Sequence, residues 1–524
     1  MQVALEQEMY DVHRSLNALV PANMLPVELI VDILLYVYEA AFAEPGAAGT
    51  ISRWLHVPSV CLHWREVVFS TPVFWRYIKV GDSLDWLSHS LSCAANGPVE
   101  IYFQEHANPS WIYLDGLIRP HLSSIRVLSH TDVGIVSLAH LDSFLASPMP
   151  ALTTLRMECQ DEDGPKKTVS IPRHHMPLLT SLTLKGFNLV KASVSTFTHL
   201  HHLQLDTCAW SISLIDLLSV LAQSPNLATL ILRHCLPEEL EDALDPNSEP
   251  VALPSLRTLE IKDHSLPTTA TALEHLYVPN VTTFSLGGIL HAEYEDEITE
   301  TITGMLPVVP ATVFPVLKTI SSVELTIFGP DFRLRLRDAA GTARIDFEVR
   351  SESRGIATWE DSSSVNFGID DLLIVCAGAP ITTLRLRANW TNVYSDTWQE
   401  VFVAMPALEE LELSGWGWAS DVFLGLGLAC EAASVGECCP ALRAISLDGL
   451  DGFRDKECEE AMGALRLRTE RGHAQLESLK LHLEFFKTEE FEECYGAYFD
   501  QLAMLARDVS FTHTLRQPTG SQDP

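Results

Sequence analysis

From about residue 120 the chain repeats a short pattern: apolar, two variable positions, apolar, one variable position, apolar. It appears as Leu122/Ile125/Val127, Leu152/Leu155/Met157, Leu179/Leu182/Leu184, Leu200/Leu203/Leu205, Leu227/Leu230/Leu232, Leu256/Leu259/Ile261 and Val281/Phe284/Leu286. After a gap it resumes as Ile381/Leu384/Leu386, Leu408/Leu411/Leu413, Leu442/Ile445/Leu447 and Leu476/Leu479/Leu481. The alternation at the end of each unit is the period of a half-buried strand, and prolines such as Pro150, Pro177, Pro254 and Pro406 mark the turn into many of them. Helical patterns lie between several strands, among them 212–222 and 398–403. Successive units start 30, 27, 21, 27, 29, 25, 100, 27, 34 and 34 residues apart.

The long gap is readable in the same way. Val323–Ile327 predicts a strand, and Phe332–Arg337 and Ala343–Val349 alternate with period two around the turn Asp338–Gly341. These predict a β-hairpin inserted on the edge of the array. Val99–Phe103 reads as the first strand. Most of the spacings fall within the period of 20–29 residues at which leucine-rich repeats place one strand and one helix, and the chain resembles a divergent, irregular member of that class. The resemblance gives Cys208, Cys235 and Asn389 a role in bonding the turn after each strand. It also implies parallel strands on a concave face with helices outside.

The N-terminal segment carries a different pattern. Leu25-Pro26 opens a helix, since proline suits the first helical turn, and Leu29, Ile30, Ile33, Leu34 and Val37 recur at helical spacing. A second helix is predicted over 54–69, containing Val60-Cys61-Leu62-His63-Trp64-Arg65, and Pro72, Phe74 and Trp75 close the block. A free domain of under sixty residues buries only about 60% of its unfolded surface, so so apolar a block calls for a partner. On Leu25-Pro26 with Glu28, Ile33-Leu34, Val60-Cys61-x-x-Trp64-Arg65 and Phe74-Trp75, residues 24–79 resemble an F-box of the kind abundant in basidiomycete fungi. Glu39–Thr50 is longer than the usual connection between the first helices, and Leu62-His63 stands where a basic pair is common.

The resemblance implies a substrate receptor of an SCF-type cullin–RING ubiquitin ligase. Leu25, Pro26, Leu29, Ile33, Val60, Trp64 and Trp75 would then dock on the Skp-type adaptor, each being alternatively an internal core residue. The rest of the chain would hold a protein target. The other reading is a repeat scaffold outside any ligase that keeps the helical block as a cap, since terminal repeats need one. The fold class expected is α/β: an N-terminal helix over 1–22, an all-α F-box over 23–80, an irregular solenoid over 81–507 with the inserted hairpin, and a disordered tail over 508–524, polar with Pro and Gly from Arg516.

Composition narrows the function classes. With 524 residues, 47% hydrophobic, the chain has enough apolar sequence for a large core. A net charge of −34 argues against general nucleic-acid or anionic-lipid binding, which needs clustered Lys and Arg. No uncharged apolar stretch long enough to span a bilayer appears, and the first residues lack the pattern of a signal peptide. Eleven scattered cysteines without Cys-x-x-Cys read as buried thiols of a reducing compartment, so a cytoplasmic or nuclear location is expected.

Phosphate-loop, dinucleotide, nucleophile-elbow and zinc-protease motifs are absent, so neither an enzyme nor a cofactor is expected. The runs His174-His175 and His199-Leu-His201-His202 lack cysteine partners at metal-ligand spacing, and Asp161–Gly164 lacks the later ligands of a calcium loop. Cys438-Cys439 has no activating neighbour. One cluster carries a sharper reading. Arg333, Arg335 and Arg337 share one face of the predicted hairpin strand, with Arg344, Arg350, Arg354, Arg385 and Arg387 near in sequence. Either they bind an acidic or phosphorylated segment of a target, or they charge an exposed strand edge against pairing.

Overall fold

A computed structural model describes residues 2–42, 54, 56–81, 83–103, 111–131, 143–159, 167–169, 171, 173–189, 199–208, 214–236, 249–290, 301–329, 331–351, 365–432, 439–451, 455–485 and 488–515. The protein is mixed α/β, built on a large and mostly parallel sheet, and divides into two compact units, 1–212 and 213–524.

In the first unit, helices α1 (Gln2–Ala18), α2 (Val27–Phe42) and α3 (Leu62–Ser70) precede strand β1 (Tyr77–Val80). The helix expected over 54–69 is shorter. Residues 51–53 and 55 lie outside the described residues, Val57–Ser59 forms a 3₁₀ turn with Pro58 near its start, and α3 begins only after Cys61, whose sulfur accepts the Trp64 amide at 3.5 Å. Proline is tolerated there but not in a helix interior. Leu29, Ile30, Ile33, Leu34 and Val37 do not form one buried stripe: Ile30, Leu34 and Tyr38 face the core, while Leu29, Ile33 and Val37 stay exposed. The segment 43–50 of the long connection lies outside the described residues.

The sheet starts earlier than Val99. β1 pairs with β2 (Val99–Phe103), and β3 (Ile125–His130), β4 (Thr154–Glu158), β6 (Ser181–Lys185) and β8 (His202–Asp206) follow, all parallel. β5 (Lys167–Val169) and β7 (Phe187–Leu189) make a separate parallel pair. Ile78 and Val80 are buried at alternate positions, so β1 reads as a strand by period alone, but it is too short to stand out in sequence. Tyr38 roofs this edge: its hydroxyl accepts the Tyr77 amide at 2.9 Å, and its ring packs 4.9 Å from Trp54 and 5.8 Å from Phe74. A bulge between β2 and β3 turns Val127 outward and seats Leu128 in the core instead. Helices α4 (Leu84–Ala94) and α5 (Trp111–Ile118) lie between the first strands.

The second unit pairs β9 (Thr229–Arg233), β11 (Thr258–Asp263), β13 (Thr283–Leu290), β16 (Arg344–Ser351), β15 (Asp331–Asp338), β14 (Ile320–Phe328), β17 (Thr383–Asn389), β18 (Glu410–Trp416), β19 (Ala444–Asp451), β20 (Leu476–Phe485) and β21 (Ala506–Leu515) in that order. β10 (Val251–Ala252) and β12 (Leu276–Tyr277) pair separately. Helices α6 (Leu214–Ala222), α7 (Leu266–Glu274), α8 (Val365–Val375), α9 (Ser395–Ala404), α10 (Ala419–Ala432), α11 (Asp455–Glu470) and α12 (Thr488–Leu505) connect successive strands. Register stacks the repeated apolar residues in rows: Leu384, Leu411, Ile445 and Leu479 are neighbours, as are Leu386, Leu413, Leu447 and Leu481, and all are buried. Each buried leucine contributes roughly 1.5–3 kcal/mol.

Two expectations change here. The hairpin β15–β16 is not on an edge: β16 pairs with β13 in parallel, β15 pairs antiparallel with β14 and β16, and β14 joins β17 in parallel. β15 is thus a reversed strand inside the sheet, with its backbone bonded on both sides. Residues 508–515, expected in the tail, are the greater part of β21, because Phe511 and Ala506 continue the buried side of the sheet. Residues 516–524 lie outside the described residues.

Glycine is required at one crossing. Gly415 (φ +119°) and Gly417 (φ +139°) lie beside β17, where a Cβ on Gly415 would stand 1.9 Å from the Ala388 carbonyl oxygen and one on Gly417 would stand 2.5 Å from Trp390 Cβ. No helix among the described residues is long and apolar enough to cross a membrane.

Candidate partner-binding surfaces

The N-terminal candidates separate into two sets. Leu25, Leu29, Ile33 and Val60 are 36%, 48%, 51% and 61% exposed, so four large apolar side chains face outward where the core has room for Ile30 and Leu34 at 2% and 1%. Pro26 is exposed, and its carbonyl starts α2 by accepting the Leu29 and Ile30 amides. Trp75 is a core residue instead. It is buried, its indole N–H donates to the Val68 carbonyl at 3.0 Å, and its ring meets Phe69 edge-on at 5.1 Å. Trp64 is half-buried, with its indole N–H donating to Asn23 Oδ1 at 2.7 Å.

Asn23 was not singled out by sequence. Its Nδ2 donates to the Asn17 carbonyl at 2.8 Å while its Oδ1 receives Trp64, so one side chain ties the end of α1 and the start of α3 to the turn before Leu25-Pro26. An Asn in the turn just before Leu-Pro is the only local signal, because its amide can bond backbone on one side and a side chain on the other. Exposed apolar residues continue along α1, where Leu5, Met9, Val12 and Leu16 fall four and three residues apart on one stripe. Burial pushes the Tyr38 phenol well above the ordinary tyrosine range, so it remains a protonated hydroxyl roofing β1.

The second surface is the polar side of the second unit's sheet. Arg333, Arg335 and Arg337 on β15 and Arg385 and Arg387 on β17 are brought together there, one strand apart across β14. An interior strand needs no charge to blunt its edge, so the edge-protection reading of these arginines does not apply. Several are paired: Arg335 with Glu324 at 3.4 Å and Asp346 at 3.8 Å, Arg333 with Glu348 at 4.0 Å, and Arg385 with Glu412 at 2.9 Å. Solvent-exposed pairs of this kind contribute only about 0–1 kcal/mol each. Burial pushes Glu260 and Glu348 upward in pKa, but the adjoining Arg233 and Lys262, and Arg350 and Arg333, outweigh it and hold both carboxyls below their ordinary value. Arg354 lies outside the described residues.

The remaining polar motifs have structural duties. The thiol of Cys208 donates to the Leu184 and Asp206 carbonyls, and Asn389 Oδ1 accepts the Thr391 amide at 3.1 Å, both at the turns after their strands. Cys235 donates its backbone amide to Asp263, as does Leu236, at 2.9 and 2.8 Å. Sequence reading missed Asp263, and Asp371 too, whose buried carboxylate accepts the Ile302 and Thr303 amides and the Thr301 and Thr303 hydroxyls. Each interrupts an apolar phase, at a buried position of β11 and on the buried side of α8, and that is a readable signal of a buried cap. Cys439 is buried with its thiol on the Phe402 and Met405 carbonyls, while Cys438 and Asp161–Gly164 lie outside the described residues. His202 lies on the polar sheet face beside Thr183, and burial and Arg156 hold its pKa down. Among the described residues, no group of three His, Cys, Asp or Glu side chains is placed to hold a metal.

Compared with models of known protein families and with curated proteins, the chain matches none of them.

Proposed function

We propose that this protein is a substrate-recognition subunit of an SCF-type ubiquitin ligase, with the N-terminal helical segment docking on a Skp-type adaptor and the sheet unit holding a protein target. The observation that carries the reading is the outward stripe of Leu25, Leu29 and Ile33, four residues apart at the start of α2 and left in solvent, with Val60 exposed as well. An exposed apolar patch of that kind marks a protein-interaction site, and its residues are the ones the F-box resemblance assigns to the adaptor. In this reading the chain makes and breaks no bonds itself. It contributes proximity, holding a target lysine where other subunits act. It takes no cofactor, and neither nucleic acid nor membrane is its partner.

A second reading has an observation of its own. Tyr38 roofs the edge of β1, and β1 follows α3 within the same compact unit, so the helical segment also serves as the cap of a repeat scaffold. Co-purification separates the two. The full chain is expressed with and without a Skp-type adaptor and passed over a sizing column. Stoichiometric co-elution with the adaptor and a cullin supports the ligase reading, and elution of the chain alone at micromolar concentrations leaves the scaffold.

A further inference from the structure

The register of the second unit's sheet sorts its polar side chains into three rows that cross the strands, and the rows differ in charge. In the first, Thr283, Arg344, Arg337, Ser322 and Thr383 are successive neighbours, two guanidiniums among three hydroxyls with no carboxylate between them. In the second, Glu260, Asp346, Arg335, Glu324 and Arg385 carry both signs: Arg335 pairs with Glu324 and Asp346, Arg385 with Glu412, and Glu260 with Arg233 and Lys262 of the next row. In the third, Arg233, Lys262, Arg333 and Arg387 flank the single carboxylate Glu348. The outer rows therefore carry an excess of cations, although Arg233 and Lys262 lean on Glu260, and the middle row holds one more carboxylate than guanidinium, in a chain whose net charge is −34.

Arg337 and Arg344 stand directly opposite each other on antiparallel strands, an arrangement that is unfavourable between like charges. Arg344 bonds Asp346 along its own strand at 3.1 Å, whereas Arg337 has no ion pair among the described residues. Both are open to solvent, Arg344 with 63% of its side chain exposed. Side chains on one face of a strand repeat every two residues, at roughly 3.3 Å per residue, so the outer rows lie about 13 Å apart along the strand direction. That distance is four residues of extended chain.

We infer that this face binds an extended acidic peptide lying along the strands, with carboxylates four residues apart on the two cationic rows and an uncharged stretch over the middle one. Guanidinium groups pair bidentately with such anions, and the hydroxyls of Thr283, Ser322 and Thr383 add donors beside the first row. The acidic remainder of the chain opposes a long polyanion more than a short peptide, because its field is screened beyond about 8 Å at physiological salt. The inference deepens the target-receptor reading and rests on it. Its test uses no adaptor, so its failure is distinguishable from a failure of adaptor docking.

The full chain is titrated, without adaptor, against a fluorescent peptide with Asp at positions i and i+4 separated by uncharged residues. Parallel titrations use the same peptide with Asn at both positions, a version carrying phosphoserine at position i, and a single-stranded oligothymidylate. Binding of the diacid peptide at least tenfold tighter than the Asn peptide, weakened at least tenfold by the double variant Arg337→Glu/Arg344→Glu and by raised salt, is the expected result. The phosphoserine peptide should bind at least as tightly, since the same guanidiniums receive it. Equal binding of the diacid and Asn peptides, an unaffected Arg337→Glu/Arg344→Glu variant, or tighter binding of the oligonucleotide would each overturn the proposal. The milder Arg337→Gln/Arg344→Gln variant, with thermal melts of both, keeps the test valid if the Glu variant misfolds.

Discussion

Two pairs of residues one position apart on α2 give the sharpest test of the N-terminal surface. Leu29 and Ile33 are about half exposed, and Ile30 and Leu34 are buried at 2% and 1%. The double change Ile30→Ala/Leu34→Ala removes packed methyls and leaves a cavity, at about 2–5 kcal/mol per site. Leu29→Ala/Ile33→Ala removes side chains that already keep half their surface in water. Its effect on folding is at most about 1.5 kcal/mol per site, half the full burial value. On an adaptor the same truncation removes two anchors at about 2 kcal/mol each, together about 4 kcal/mol, close to a thousandfold in Kd. Adaptor binding by calorimetry and thermal melting of the same preparations read the two effects separately. The outward pair should lose binding with only a small fall in melting temperature, whereas the inward pair should lose its melting temperature first. Wild-type affinity in the Leu29→Ala/Ile33→Ala variant would refute the assignment of this face to the adaptor.

The buried caps and the sheet make further predictions. Asp371→Ala strands four donors inside the second unit and should cost at least about 3 kcal/mol in a urea titration, with Asp371→Asn milder; a loss under 1 kcal/mol would show that water replaces the carboxylate. Gly415→Ala puts a Cβ 1.9 Å from a carbonyl oxygen at a positive φ, so it should lower the melting temperature by several degrees or prevent soluble expression, and a neutral result would mean the β17–β18 crossing shifts freely. Because the folded pKa of Glu260 is held below its unfolded value of about 4.3, its contribution to stability is complete above that pH and is lost as pH falls through the folded value. Arg233→Ala should therefore cost stability at pH 7 and progressively less toward pH 3, and a cost independent of pH would separate Glu260 from Arg233.

The legible and illegible parts of the molecule divide along one physical line. Local periodicity fixes which side chains share a face, and this is why the leucines of the repeats, the start of α2 at Leu25-Pro26 and the strands Phe332–Arg337 and Ala343–Val349 could be read from residues alone. Turn chemistry was legible where a side chain bonds its own neighbourhood, as Cys208 and Asn389 do. Pairing partners were not, because hydrogen bonding between strands depends on which backbones meet and leaves no periodic trace. Only the tertiary structure decided that β15 lies inside the sheet, that its arginines face Glu324, Asp346 and Glu348, and that Arg337 meets Arg344. The same holds on α2, where composition makes Leu29, Ile30, Ile33 and Leu34 equivalent. The side of the helix that carries Ile30, Leu34 and Tyr38 is buried, with Tyr38 packed on Trp54 and Phe74, and it is the side left over that is available to a partner.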